Sequence, residues 1–367
     1  MNVLITSKQR PYYGGSATNA YKLTQLLRSS KIKTCCLYFN NDKDIDIDPD
    51  NISGVFQTSH NSKKKNITPD SAKKQTLNQI TQYLDGQPTI ILAFNYYVPI
   101  ISKNIFPNST VVYMVVGSPV LTLGDDSCIN NGISCKKFLK NGKFSKSKFY
   151  NLEKETIDRS DFILCDHGPL LQTTLKKIYN ISNKPVKWID YSSEFITKKL
   201  KKKKKKYDLI IVASNWDRKV KNKDLAVALY QKFPDLNKIA IGKNSHHFKD
   251  IPNTTILDLI EHNTLLDIFS ESKLLLVTSF FESGPNTVVE ALLNNCQVLT
   301  SYNIGKTHML KDYNLCEDVY DIHEWSFKIK YILKQNPKID IKIKKNQILD
   351  ILQSLNKAST KTLLQDS

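Results

Sequence analysis

The sequence predicts an α/β protein of two domains, each built on a parallel sheet. Three observations lead there. The chain has 367 residues, too many for one ordinary hydrophobic core and suited to two. Short apolar runs alternate with helix-period segments from end to end, the pattern of parallel strands joined by crossover helices. A block of eight lysines and one leucine at 198–206 separates two sets of five strand-like runs. Like charges repel one another and cannot pack, so this block reads as an exposed linker.

Taken in order, the first five strands are expected at 3–6, 34–39, 89–94, 111–116 and 162–165. The second five fall at 209–213, 238–241, 255–257, 274–278 and 297–300. Several are apolar without alternation, as expected of strands covered on both faces. Helices are expected at 17–28, where Ala20, Leu23 and Leu27 share a face, and at 224–233, 264–272 and 287–293. The domains then run 1–197 and 207–345, with the linker at 198–206 between them. A C-terminal helix at 346–367 is placed to pack back on the first domain.

The formal net charge is +18. Nucleic acid, an anionic membrane or a phosphorylated substrate could each account for it. Asn, Ile and Lys are abundant throughout, which also suits an AT-rich genome, so coding bias is a further source of charge. No nucleic-acid module is recognisable, which disfavours a basic nucleic-acid-binding protein. The run from Lys198 to Lys206 serves either as a solvated hinge or as a peripheral contact with an anionic membrane. No run approaches the ~18 apolar residues of a membrane span. The early run Val3-Leu4-Ile5 reads as a strand rather than as part of a secretory signal. Seven cysteines, an odd number, suit a reducing compartment and a cytoplasmic location. Cys35 and Cys36 fall in a strand. Cys128 and Cys135 lie in a polar loop, and two cysteines do not complete a zinc shell.

The most informative stretch is Ser-Phe-Phe-Glu-Ser-Gly-Pro-Asn-Thr-Val-Val-Glu at 279–290. A strand ends, a Gly-Pro turn follows, and a helix opens. Helix N-termini present unpaired N–H groups and a positive dipole end, which together attract phosphate. A carboxylate only accepts hydrogen bonds. Glu282 and Glu290 therefore suit sugar hydroxyls beside a phosphate, as in a nucleotide sugar. Thr287 and Glu290 also fit a capping box, and that reading stands beside the first. Arg218 and Lys223 lie on the loop after the first strand of the second domain, where open α/β sheets bind ligands. Either could meet a diphosphate. Gly242 ends another strand, where glycine permits close backbone approach to a ligand, and is a donor-binding candidate. Gly14 and Gly15 form an adjacent pair between the first strand and first helix. No G-x-G-x-x-G, P-loop, H-E-x-x-H or G-x-S-x-G pattern occurs.

Together, the Gly-Gly loop, Arg-x4-Lys, strand-end Gly and Glu-x7-Glu make the chain resemble retaining glycosyltransferases of the GT-B fold, family 4. The resemblance covers the first ~40 residues and roughly 207–305. It implies two Rossmann-like domains whose parallel sheets face across a cleft. It implies a nucleoside diphosphate sugar as donor and a glycan, lipid or other hydroxyl as acceptor. Arg218 and Lys223 would hold the diphosphate, Glu282 the donor sugar and Glu290 the ribose. Gly284, Asn286 and Thr287 would offer backbone amides, and Gly14 and Gly15 would close over the donor. Such enzymes usually need neither metal nor cofactor. Members often carry a histidine after the strand at 111–116, where this chain reads Val-Gly-Ser-Pro at 116–119. His167 is the nearest candidate for a polar active-site role from the first domain. A catalytically inactive sugar-nucleotide or glycan-binding protein, and an epimerase of the same architecture, are the alternatives.

Overall fold

The computed structural model describes residues 1–7, 15–38, 74–122, 140, 144–147, 149–196 and 203–365. The first domain holds six parallel strands: β1 (Asn2–Ser7), β2 (Lys33–Tyr38), β3 (Ile90–Phe94), β4 (Thr110–Val115), β5 (Phe162–Cys165) and β6 (Val186–Trp188). Their order across the sheet is β2-β1-β3-β4-β5-β6. Around them lie α1 (Gly15–Ser29), α2 (Lys74–Leu84), α3 (Val98–Ile105), α4 (Pro119–Thr122), α5 (Tyr150–Arg159) and α6 (Pro169–Tyr179). Every residue of β3 is buried, as its unbroken Ile-Ile-Leu-Ala-Phe demands.

The second domain repeats the plan with β7 (Tyr207–Asn215), β8 (Lys238–Lys243), β9 (Thr254–Leu257), β10 (Ser272–Val277), β11 (Gln297–Ser301) and β12 (Leu315–Cys316). Their order is β12-β11-β10-β7-β8-β9, again all parallel. The helices are α7 (Lys223–Lys232), α8 (His262–Glu271), α9 (Asn286–Leu293), α10 (Ile322–Gln335) and α11 (Gln347–Gln365). β6 and β12 are additions to the expected ten strands. They have three and two residues, too short to leave a periodic signal.

α11 lies against the first domain. Ile348 and Leu352 are fully buried in one cluster with Val3, Ile5 and Leu23. The Glu194 carboxylate accepts from the Asn346 and Gln347 amides at 2.8 and 3.3 Å, placing a negative charge at the helix's positive end. The linker differs from a freely solvated run over the part described, 203–206. Lys205 Nζ donates to the carbonyls of Ser270, Ser272 and Asn295 at 3.0, 2.7 and 2.6 Å. Lys203 and Lys206 both pair with Glu271. Lys205 thereby satisfies the last turn of α8 at Ser270 and its cap residue Ser272, where helix dipoles favour positive charge.

Gly14, Cys128, Cys135 and residues 198–202 fall outside the described residues. Cys35, Cys36, Cys165, Cys296 and Cys316 are free and buried. Among the described residues no helix is long and apolar enough to cross a membrane.

Candidate active site

Read along its own strands, the second sheet reverses direction of build between β7 and β10. At such a switch point the loops leaving the two strands turn to opposite sides, and open α/β sheets bind ligands in the crevice outside the carboxyl ends of these strands. Its floor is stitched across. Thr278 Oγ1 donates to the Lys221 carbonyl at 2.9 Å, and the Phe280 amide to the Val220 carbonyl at 2.9 Å. Above that floor Lys221 Nζ donates to Glu282 Oε1, which also accepts from Ser279 Oγ at 2.7 Å. The Lys221 and Glu282 side chains keep 14% and 19% of their surface, so the pair is sheltered yet reachable.

A tight turn decides which lysine arrives there. After β7 the chain makes one 3-10 turn, Lys219–Lys221, and Asn222 then takes a left-handed conformation, φ 52°, to start α7. Asn tolerates that region better than other side chains. Lys221 is aimed at Glu282. Lys223, in the first turn of α7, meets His247 Nε2 at 3.2 Å instead. His247 in turn holds Asp217 Oδ1 at 2.8 Å, and this contact draws the Asp217 carboxyl below its ordinary pKa. Arg218 is exposed and its Nη1 reaches Ser214 Oγ at 3.4 Å. Sequence spacing selected Arg218 and Lys223; the fold puts Lys221 beside Glu282. Lys219, Lys221 and Lys223 alternate in sequence, so only the turn geometry distinguishes them.

The crevice is also lined by the start of α9. Pro285, with φ −66°, occupies the N-cap, and no side chain caps the helix. Glu290 is therefore the fifth helical residue, two positions beyond the one that reaches back in a capping box, and Pro285 has no amide hydrogen to offer it. The capping-box reading of Thr287 and Glu290 fails because the Gly-Pro turn starts the helix earlier than Thr287. Glu290 Oε1 instead meets His262 Nε2, at the start of α8, at 2.9 Å. The Glu290 side chain is 10% exposed and that of His262 64%. The Asn286 and Thr287 amides lie in the first turn, which has no intrahelical acceptors. The buried Asn286 Oδ1 has no hydrogen-bond partner among the described residues. A buried acceptor left without a partner suits a ligand donor or an ordered water.

Gly242 needs no ligand to explain it. At φ 129° its missing Cβ would lie 1.7 Å from the Ala213 carbonyl of the neighbouring strand β7. That close approach coincides with the register shift between Val212 and Asn215. Gly15 is the first residue of α1.

The first domain closes the other side. Ser283 Oγ donates to the Val116 carbonyl, at the end of β4, at 2.6 Å. Phe281 is buried in a cluster with Tyr113, Val115 and Leu171. Gly284 packs flat on His167, since a Cβ there would lie 1.9 Å from the imidazole Cγ. His167 is thus at the seam, in contact with the segment between the two glutamates. Its Nδ1 is 3.2 Å from Asp166 Oδ2. Burial, and then the nearby Lys306 ammonium, push its pKa well down, so the ring is neutral.

Next to it, Lys306 crosses the seam. Its Nζ donates to Asp190 Oδ1 and to Ser193 Oγ, and its side chain is 0% exposed. His308 Nε2 meets the other Asp190 oxygen at 3.1 Å. Burial alone would raise the Asp190 carboxyl, but the His308 hydrogen bond and the Lys306 charge outweigh it and hold it well below the usual range. Asp166, His167 and Asp190 bring their ligand atoms within 4.8 Å of one another. The Lys306 ammonium already supplies positive charge to that group. Lys221, His262, Asp190, Lys306 and His308 carried no recognisable motif in the sequence.

No family model matches the sequence, and no curated protein matches it. Solved structures do match. Sucrose-phosphate synthase from Thermosynechococcus elongatus superposes with a TM-score of 0.62 at 12% identity, over 91% of this chain and 90% of that one. The lipopolysaccharide outer core galactosyltransferase WaaB gives 0.59 at 12% identity, over 92% of each chain. A trehalose-6-phosphate protein from E. coli, bound with UDP-2-fluoro glucose, gives 0.59 at 10% identity, over 100% of this chain and 98% of that one. At these identities the likeness establishes the architecture: the chain has the GT-B fold.

Proposed function

We propose that this chain is a retaining, metal-independent glycosyltransferase of the family 4 type. It takes a sugar from a nucleoside diphosphate sugar and passes it to a hydroxyl of a glycan or lipid. The observation that carries the reading is the Lys221–Glu282 pair beside the uncapped start of α9, at the switch point of the second sheet. A cation, helix amides and a carboxylate in one crevice match diphosphate and sugar hydroxyls side by side.

The bond to the anomeric carbon breaks toward the diphosphate, where negative charge builds. Lys221 and the α9 amides stabilise that charge, with Arg218 and Lys223 at the crevice mouth. Glu282, released from Lys221 as the diphosphate takes the ammonium, accepts from the donor sugar. Glu290, steadied by His262, accepts from the ribose diol, and Asn286 Oδ1 from a further hydroxyl. Gly14, Gly15, Gly284 and Thr287 supply backbone around the donor. The acceptor proton leaves with the departing phosphate. His167 borders the site from the first domain and presents a neutral ring.

A second reading is an inactive sugar-nucleotide binder. It is favoured by the Val-Gly-Ser-Pro loop at 116–119, which has no imidazole and whose Val116 carbonyl is bonded to Ser283. Calorimetry with UDP-, GDP- and ADP-sugars, followed by assay of nucleoside diphosphate release with hydroxyl acceptors, separates the two. Binding with release supports the transferase. Binding without release supports the binder. Absence of binding by any of the three refutes both.

A further inference from the structure

Both chain crossings between the domains carry lysines, and the fold brings them together. The first crossing ends at 203–206. The second, 336–346, leads from α10 to α11. They meet at the turn between α9 and β11. Lys205 Nζ donates to the Asn295 carbonyl at 2.6 Å, and Gln297 Nε2, two residues on, donates to the Pro337 carbonyl.

Alternation orients the second crossing. Ile339 and Ile341 pack on the cluster that contains Leu275 and Cys296. Lys338, Lys342 and Lys344 consequently face outward and are exposed, as is Lys345. Lys204 of the first crossing is also exposed. Asp340 is the one carboxylate of the second crossing. This surface adjoins the start of β7, whereas the crevice lies at the carboxyl ends of the strands.

We propose that this two-crossing surface docks on an anionic lipid bilayer. The choice of lipid over nucleic acid rests on residue type. Neither crossing, over 203–206 or 336–346, contains an arginine or an aromatic residue. Nucleic-acid surfaces depend on arginine forks and on rings that stack with bases. Anionic headgroups need only a dense positive field within a Debye length of the membrane. The proposal is independent of the donor site, because it requires nothing of the crevice.

The test is sedimentation of the full chain with vesicles of phosphatidylcholine containing about 30% phosphatidylserine, against phosphatidylcholine alone. Each lysine near such a surface strengthens partition by about fivefold. Replacing Lys338, Lys342, Lys344 and Lys345 together with Gln should weaken phosphatidylserine-dependent binding by about a hundredfold or more. The same four changed to Arg should retain it, which separates charge loss from misfolding. Absence of phosphatidylserine-dependent binding overturns the proposal, as does equal binding by the Gln variant. Tighter binding to a single-stranded oligonucleotide than to the vesicles also overturns it.

Discussion

Glu153 offers a measurable consequence of how the loop facing the crevice is held. The carboxylate is on α5 and is fully buried. It accepts from Tyr179 Oη at 2.6 Å and from Ser118 Oγ at 2.8 Å, with Tyr113 Oη at 3.4 Å. Ser118 belongs to the loop after β4, two residues beyond the carbonyl that meets Ser283. Burial raises the carboxyl pKa from 4.5 to about 7, even after those hydrogen bonds pull the other way. A carboxyl raised on folding binds its proton more tightly in the native state. Its stabilisation is complete below pH 4.5 and is lost as pH rises through about 7. Between pH 5 and pH 8 that loss is on the order of 2–3 kcal/mol from this group alone. Glu153→Gln removes the titration while keeping one acceptor oxygen. The stability of the variant relative to the parent should therefore climb by about that amount from pH 5 to pH 8. Urea unfolding of both proteins at several pH values measures the difference, and other titrating groups cancel in it. A difference that is flat with pH, or that falls, would refute a neutralised buried carboxyl at this position.

Lys221→Ala should weaken binding of nucleoside diphosphate by roughly tenfold or more and leave the nucleoside nearly unaffected, since one hydrogen bond to a charged group is worth about 1.5–3 kcal/mol. Titration calorimetry decides it, and equal losses for the two ligands would count against a phosphate contact. Glu290→Gln should leave the melting temperature nearly unchanged while nucleotide affinity falls by about 1–2 kcal/mol, because an amide matches a diol less well than a carboxylate does; unchanged affinity removes Glu290 from the site. Lys306→Met should cost about 3–5 kcal/mol in unfolding free energy by stranding the buried Asp190 charge. Adding Asp190→Leu should recover most of it, and a double variant as unstable as the single one would contradict the ion-pair account.

Much of the fold was legible in the sequence because strands covered on both faces must be apolar throughout. Ile90–Phe94 and Leu274–Val277 announce themselves in that way. β6 and β12 did not, since two or three residues form no pattern. The acidic half of the candidate site stands out in the sequence through its turn: Gly-Pro ends a strand, opens a helix and leaves Glu282 and Glu290 on either side. The basic half was not. Lys219, Lys221 and Lys223 are alike in sequence, and the left-handed Asn222 determines which of them faces Glu282. The seam was still less legible, because its partners are far apart in the chain. Lys306 and Asp190 are 116 residues apart, and Ser283 and Val116 are 167 apart. No local pattern encodes such a pair. What the sequence does retain is the space left for it: Gly284 has no side chain because the His167 ring occupies that volume, and Gly305 has none because the Ser283 carbonyl lies within 1.7 Å of where its Cβ would stand. The glycines around the Glu-x7-Glu segment therefore record the approach of loop to loop and of domain to domain. Phosphate-binding turns also require glycine for close approach, so the same letters suit a closed seam and a ligand cradle. Here the seam accounts for both Gly284 and Gly305, and the case for a donor site falls instead on Lys221, Glu282, Glu290 and the orphaned Asn286 acceptor.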